Sequence, residues 1–454
     1  MQNKVFQLIL GPFLFATIYF LLPSMFSFEM RVSAGLVAWM LAWWLTEIVP
    51  MAITALLPIL VFSATKILTI DDCYKGYSDR FVFLFLGGFL LSLAFEKCGL
   101  HKLLANKILH RSGNSNRSVL FGFMLTTYLI SMWISNTATA IMMMPLAAGV
   151  IHLFPQDKHF HRNLVLGIAY SASIGGMATL MGSPPNAAAA GILARSFGVE
   201  VSFFTWMKWG LPFSLALMLV GYFILSIPMV KTFKSHASIE HELHLSRKKI
   251  TNEQKRTLVL FLGVCTCWIF QSSLAAFVGP WFNDTAIALL FASLLFVSFR
   301  NQPLLDWEDT SKLPWGILLM FGGGLTMANG LREAGWMQWL GHFFSAWQHG
   351  QWALLVVIIA ISILLTALMS NLAMVAVFIP IVAQIATEIN YPILSIAIPV
   401  ALASSCDFMF PMSTPPNAIA YSSGHVNAAQ MFKTGVWFNV ISFLLLIVWM
   451  SWMH

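Results

Sequence analysis

Two stretches of this chain are too long and too apolar to be ordinary elements. Val119–Ile151 and Trp352–Thr387, 33 and 36 residues long, contain no Asp, Glu, Lys, Arg or His. As single helices they would run to about 50 and 54 Å at 1.5 Å per residue, against a hydrocarbon core of about 30 Å. Tilt does not absorb that excess. Each carries a polar break near its middle, Ser135-Asn136-Thr137 in the first and Ser370-Asn371 in the second. The pattern predicts two re-entrant helical hairpins, 119–151 and 352–387, each returning to the side it entered from. A non-helical tip at that depth is tolerated only where it is buried in protein or lines a cavity.

Composition agrees with a bilayer. Of 454 residues, 58% are hydrophobic and 9% charged, against about 25% charged in an average globular protein. Twenty-five Lys+Arg and 18 Asp+Glu cannot cover a soluble domain of this size. Disorder, collagen-like repeats and an ordinary soluble enzyme are excluded. Further span candidates lie at about 5–22, 32–49, 51–65, 81–96, 164–197, 209–230, 257–278, 284–299, 314–331, 394–422 and 435–453. The fold class expected is an all-α polytopic membrane protein with about 11 transmembrane helices plus two re-entrant hairpins. The first run follows Lys4 and lacks a clean small-residue cleavage site, so it reads as a retained span. Cys73, Cys98, Cys265, Cys267 and Cys406 have neither disulfide-framework nor zinc spacing and read as buried thiols.

Loop charges set the orientation. With the N-terminus cytoplasmic, the N-terminus, 97–118, 152–163, 231–256, 300–313 and 423–434 fall inside and hold 18 of the 25 Lys+Arg. Arg31, Lys66, Lys75, Arg80, Arg195, Lys208 and Arg332 fall outside. Both ends of the first hairpin are then inside and both ends of the second outside. The net charge of +7 follows from these loops and calls for no nucleic acid. Residues 231–256, the longest polar stretch, read as a cytoplasmic linker between a first half (1–230) and a second (257–454). Cys98–His110 reads as a basic amphipathic helix on the cytoplasmic surface, and Trp336–His349 as its aromatic-rich counterpart on the other side.

The two halves repeat one another. Phe85-Leu86-Gly87-Gly88 recurs as Phe321-Gly322-Gly323-Gly324, with Gly87 matched to Gly323. Ser135-Asn136 recurs as Ser370-Asn371, and Ser183-Pro184-Pro185-Asn186-Ala187 as Thr414-Pro415-Pro416-Asn417-Ala418. The landmarks keep their order at nearly one shift. The loop charges place matching elements in opposite orientations, which makes this an inverted-topology repeat, a hallmark of secondary transporters.

Each half thus has two polar interruptions in apolar sequence. Paired prolines remove two amide donors and disfavour helix just before them, so the spans at 164–197 and 394–422 must unwind. Unwound backbone frees carbonyls for a small cation, and the restarting helix offers N–H groups and a positive dipole end to an anion. Such a site holds both ions without a buried fixed charge, which would be costly at that depth. No HExxH, P-loop or nucleophile elbow is present, and His159 and His161 show no metal-ligand spacing. No enzyme is expected.

These residues resemble the divalent-anion/sodium symporter family, which imports dicarboxylates, citrate or sulfate. That family carries a Ser-Asn-Thr signature in each of two hairpins and a Pro-Pro-Asn break in each half. The matches here are Ser135-Asn136-Thr137 with Gly182-Ser183-Pro184-Pro185-Asn186, and Ser370-Asn371 with Ser413-Thr414-Pro415-Pro416-Asn417. The resemblance covers essentially the whole chain. It implies a homodimer in which each protomer has a scaffold domain and a transport domain that moves like an elevator. It implies a first sodium site of Ser131, Ser135, Asn136 and Gly182, and a second of Thr366, Met369, Asn371 and Ser413. Substrate is implied to meet Ser135, Asn136, Thr137, Ser183, Ser370, Asn371, Leu372, Thr414 and Pro415. The implied activity is sodium-coupled uptake, across the inner (plasma) membrane, of a small dicarboxylate of the succinate, malate or fumarate class, or of citrate. A sodium-independent dicarboxylate exchanger or a sulfate transporter of the same fold is the alternative.

Two positions stand out. Leu372 occupies the place of the second signature's Thr, which removes a hydroxyl and adds an apolar wall. Asp407 lies seven residues before Thr414 in apolar sequence, where the first half has Gly176. It reads either as an extra cation or proton site or as a hydrogen-bonded structural carboxylate near the membrane edge.

Overall fold

The computed structural model describes residues 2–233, 250–298, 302–339 and 350–452. These residues are α-helical, with one isolated β-bridge between Ser115 and Phe233. Most of the expected linker (234–249) and the far end of the aromatic-rich segment (340–349) lie outside the described residues.

The first half opens with α1 (Gln2–Leu21), α2 (Phe28–Thr46), α3 (Met51–Thr54), α4 (Leu57–Ala64), α5 (Ile70–Tyr77), α6 (Arg80–Lys97) and α7 (Leu100–Arg111). It continues through α8 (Asn116–Ser131), α9 (Asn136–Ile151), α10 (Lys158–Met177), α11 (Pro184–Phe197) and α12 (Phe203–Ser226). The second half begins with α13 (Asn252–Ile269), α14 (Gln271–Val278), α15 (Asp284–Leu294) and a 3-10 turn (Trp307–Lys312). It ends with α16 (Trp315–Glu333), α17 (Gln351–Leu368), α18 (Asn371–Glu388), α19 (Ile393–Ala403), α20 (Pro415–Ser422) and α21 (Ala428–Trp452).

Among the described residues, five helical segments, within 4–21, 70–97 (α5 and α6 taken together), 203–226, 371–388 and 428–451, are each long and apolar enough to cross a membrane. Other expected spans are divided. The run at 51–65 becomes α3 and α4, and that at 257–278 bends by 83° between α13 and α14. The runs at 164–197 and 394–422 are helical only on either side of 178–183 and 404–414.

Each long uncharged stretch is two helices with a short break, 132–135 in the first and 369–370 in the second. The breaks sit slightly earlier than the polar residues suggested. Ser135 and Ser370 are N-caps whose hydroxyls accept the amides of Ala138 (3.2 Å) and Ala373 (3.3 Å). The residues that follow, Asn136 and Asn371, are therefore already helical. The Asn116 amide donates to Asp157 Oδ2 (2.6 Å) and to Val230 O (2.7 Å). The starts of α8 and α10 and the end of α12 thus lie together, so α8 and α9 turn back to one end of the bundle.

Side-chain contacts sort the loops into two groups, the same two that the charge count separates. Lys97 Nζ meets Asp309 at 2.6 Å, the Arg256 guanidinium donates to Gln302 O, and Gln254 donates to Cys98 O. In the other group, Arg80 pairs with Glu200, Arg195 with Asp79, and Thr285 donates to Arg80 O.

The repeated glycines explain how the halves meet. The rings of Phe85 on α6 and Phe321 on α16 pack with centroids 5.0 Å apart. A Cβ on Gly87 would lie 2.8 Å from Ala288 Cβ, and one on Gly323 would lie 2.3 Å from Ala55 O. Lipid gives helices no hydrophobic reason to associate, so close backbone approach at small residues carries the packing.

Candidate functional site

The two helix breaks of each half converge, and they do so twice with the same geometry. In the first half, Ser131 closes α8 and Asn136 opens α9. The Ser131 hydroxyl lies 2.7 Å from both Asn136 Oδ1 and Ala172 O. In the second, Thr366 stands near the end of α17 and Asn371 opens α18. The Thr366 hydroxyl lies 3.0 Å from Asn371 Oδ1 and also donates to Ser404 O. Each half so gathers a hydroxyl, an amide oxygen and a backbone carbonyl of its broken helix. A neutral all-oxygen set of this kind suits a hard monovalent or divalent cation and not a transition metal. Among the described residues, no group of three His, Cys, Asp or Glu side chains is placed to hold a metal.

The paired prolines do not interrupt a helix; they begin one. Pro184-Pro185 and Pro415-Pro416 occupy the first positions of α11 and α20, where a missing N–H costs nothing. The turns before them are held in each half by the asparagine of the Pro-Pro-Asn break, a residue not counted among the expected ligands. Asn186 Nδ2 donates to Gly176 O and Thr179 O, both at 2.8 Å. Asn417 Nδ2 donates to Asp407 O (3.0 Å) and Phe410 O (3.1 Å) and contacts Ser413 Oγ at 3.2 Å. Both side chains are fully buried, and each leaves its Oδ1 without a partner. Their signal was present in the sequence, as an Asn directly after each Pro-Pro pair. Tyr170, whose hydroxyl donates to Phe408 O at 2.9 Å, and Trp206, whose indole donates to Met177 O at 3.0 Å, gave no such signal.

Most residues expected to act together do meet. Gly176 is pressed against Asn136, since a Cβ on it would lie 2.5 Å from Asn136 Oδ1. Gly182 is pressed in turn against Gly176, a Cβ there falling 2.6 Å from Gly176 O. The second half runs in parallel. Ser413 donates to Asp407 O at 2.9 Å, and the Asp407 side chain faces that of Asn371. Met369, in extended backbone, links α17 to the Ser370 cap.

The residues expected to touch substrate stand at these same helix breaks. Ser135 is exposed, and Asn136, Thr137, Ser370 and Asn371 are half-buried. Ser183 and Thr414 stand at the N-caps of α11 and α20, with Pro415 as the first residue of α20. The Ser183 side chain makes no capping bond, whereas Thr414 Oγ1 accepts the Asn417 amide at 3.4 Å. Leu372 is buried among Ala188, Phe321 and Leu325 of α11 and α16. The halves also exchange partners here, because α9 packs on α20 and α18 packs on α11.

A family model described as the sodium:sulfate symporter transmembrane region matches residues 2–454. The chain belongs to this family, the divalent-anion/sodium symporters. Among its relatives is the sodium-dependent dicarboxylate transporter SdcS of Staphylococcus saprophyticus subsp. saprophyticus, 33% identical over 473 residues, which cover 98% of this chain and 90% of the relative. SdcS of Staphylococcus aureus strain USA300 is also 33% identical, over 482 residues, with the same shares covered. Two solved structures share the fold. The Alcanivorax borkumensis YdaH transporter aligns with a TM-score of 0.55 at 11% identity, over 84% of this chain and 87% of its own. Neisseria gonorrhoeae MtrF, described as illuminating a class of antimetabolite efflux pumps, aligns with a TM-score of 0.58 at 14% identity, over 96% of both chains. By its family the chain is a multi-pass membrane transporter, helical through its described residues.

Proposed function

We propose that the protein is a secondary transporter that couples sodium to the uptake of a small dicarboxylate of the succinate, malate or fumarate class, or of citrate. The observation that carries this reading is the paired geometry of Ser131 with Asn136 and of Thr366 with Asn371. Each pair is a neutral oxygen cluster at a helix start, beside the first turn of a second, proline-opened helix. Family membership and the names of the staphylococcal relatives support it.

The chemistry follows from charge. A dianion is repelled by a low-dielectric interior and attracted by the amino ends of helices. Sodium ions at the two clusters, the first with Ser135 and Gly182 and the second with Met369 and Ser413, offset that repulsion, so cation binding precedes substrate. The carboxylates then take the amides and hydroxyls of Asn136, Thr137, Ser183, Asn371 and Thr414. α8–α9 and α17–α18 form re-entrant hairpins of two inverted repeats. The hairpins and broken helices move together as the transport domain of an elevator against a scaffold shared in a homodimer. The N-terminus lies in the cytoplasm and the protein in the plasma membrane.

The test is uptake into proteoliposomes of labelled succinate, fumarate, malate, citrate and sulfate. A sodium gradient is compared with potassium, with and without internal dicarboxylate. Sodium-driven accumulation of a carboxylate is expected. Uptake that requires internal dicarboxylate and ignores sodium identifies an exchanger, and uptake of sulfate alone identifies a sulfate carrier.

A further inference from the structure

Among the described residues, Asp407 is the only buried Asp, Glu, Lys or Arg. It is 1% exposed, and neither carboxylate oxygen has a hydrogen-bond partner. Its backbone, by contrast, is fixed, because Asp407 O accepts from both Ser413 Oγ and Asn417 Nδ2.

The repeat says where the side chain points. Asp407 stands ten residues before Asn417 in the same bonding pattern that ties Gly176 to Asn186. At Gly176 a side chain would run straight into the Asn136 amide. At Asp407 the side chain is present and lies beside Asn371, the counterpart of Asn136. Asn371 Oδ1 in turn meets the Thr366 hydroxyl, which also reaches Ser404 O. A carboxylate, an amide oxygen, a hydroxyl and a carbonyl thus border one another, with no buried Lys or Arg among the described residues to balance them. An unpaired buried carboxylate is among the most costly groups a protein interior can hold. A cation bound among oxygen ligands removes that cost.

We propose that Asp407 is a ligand of the second cation site, and that it gives this site a fixed negative charge which the first site, with Gly176 at the matching position, lacks. The proposal rests on the sodium-coupled reading. It sharpens that reading by making the two sites unequal: the second, with its carboxylate, holds its ion more tightly than the first.

Sodium-induced thermal stabilisation of purified protein tests this without transport. In the wild type, sodium alone, with no anion, should raise the melting midpoint over potassium; no shift overturns the proposal. Asp407→Asn, and Asp407→Gly as the residue of the first half, should raise the half-saturating sodium concentration at least tenfold. Dicarboxylate should still bind both variants at saturating sodium. Size-exclusion profiles establish that the variants fold. A sodium response that Thr366→Ala abolishes but both Asp407 variants keep at the wild-type midpoint overturns the assignment of Asp407 alone. A wild type that binds dicarboxylate yet never responds to sodium removes the sodium-coupled reading and this proposal together.

Discussion

Replacing Asn186 by alanine should damage the protein more than any change to the residues around it suggests. The side chain is fully buried, and its amide holds Gly176 O and Thr179 O at 2.8 Å each. Thr179 O keeps a second donor, the Gly182 amide at 3.3 Å. Asn186→Ala therefore removes two hydrogen bonds and strips a buried carbonyl at Gly176. Two bonds at about 0.5–1.5 kcal/mol, plus about 1–3 kcal/mol for the stripped carbonyl, give a loss of about 2–4 kcal/mol after allowing for overlap. Hydrogen bonds between membrane helices average only about 0.6 kcal/mol, which sets the lower end near 1 kcal/mol. The effect is functional as well, since Gly176 and Gly182 form the wall behind Asn136. The assay is thermal inactivation of purified protein in detergent together with sodium-driven succinate uptake. Asn186→Asp serves as the isosteric control, because a carboxylate cannot donate to two carbonyls. Both variants should melt several degrees lower and transport at a small fraction of the wild-type rate. Wild-type melting and uptake in Asn186→Ala would refute the view that this amide shapes the break.

Three further outcomes follow from the same geometry. Gly176→Ala should displace the Asn136 amide, because the new Cβ would lie 2.5 Å from its oxygen; a sodium titration of uptake should show at least a tenfold weaker response, about 1.4 kcal/mol. Leu372→Thr should cost about 2–4 kcal/mol by removing a buried apolar side chain, and it should leave dicarboxylate affinity unimproved, since Leu372 faces α11 and α16; a tenfold gain in affinity by calorimetry would place it at the substrate instead. Asp309, which lies outside the spans, is held below the usual carboxylate range by its hydrogen bond to Lys97. A depressed carboxyl stabilises the fold above the unfolded pKa of about 3.9, and loses that contribution as pH falls through its lower folded value. Asp309→Asn should therefore be slightly less stable than wild type at neutral pH, by under about 1 kcal/mol for so exposed a pair, and the two melting curves should converge in acid.

Much of this was legible in the sequence, and the reasons are physical. The uncharged stretches 119–151 and 352–387 exceeded any single span, so a break had to exist, and Ser-Asn marked it to within a few residues. The exact break was hidden, because a serine that looks like part of an interruption is also the best helix cap. Pro-Pro located the unwinding of both broken spans but not its extent. The turns at 178–183 and 404–414 are set by amide bonds from Asn186 and Asn417, which act backward along the chain. The packing of Leu372 with α11 and α16 was hidden, because its position in a signature says nothing about which helix face it occupies. Asp407 was visible as an oddity, but its complete burial is a fact of packing that only the assembled helices reveal.

The central claim is that two symmetric oxygen clusters bind the ions that drive uptake. Its most direct test is sodium-driven dicarboxylate accumulation by proteoliposomes holding the wild type, Asn136→Ala or Asn371→Ala. The wild type should concentrate substrate under an inward sodium gradient and not under potassium, and either variant should abolish the accumulation while remaining folded by size exclusion. Sodium-dependent accumulation that survives in both variants would contradict the account.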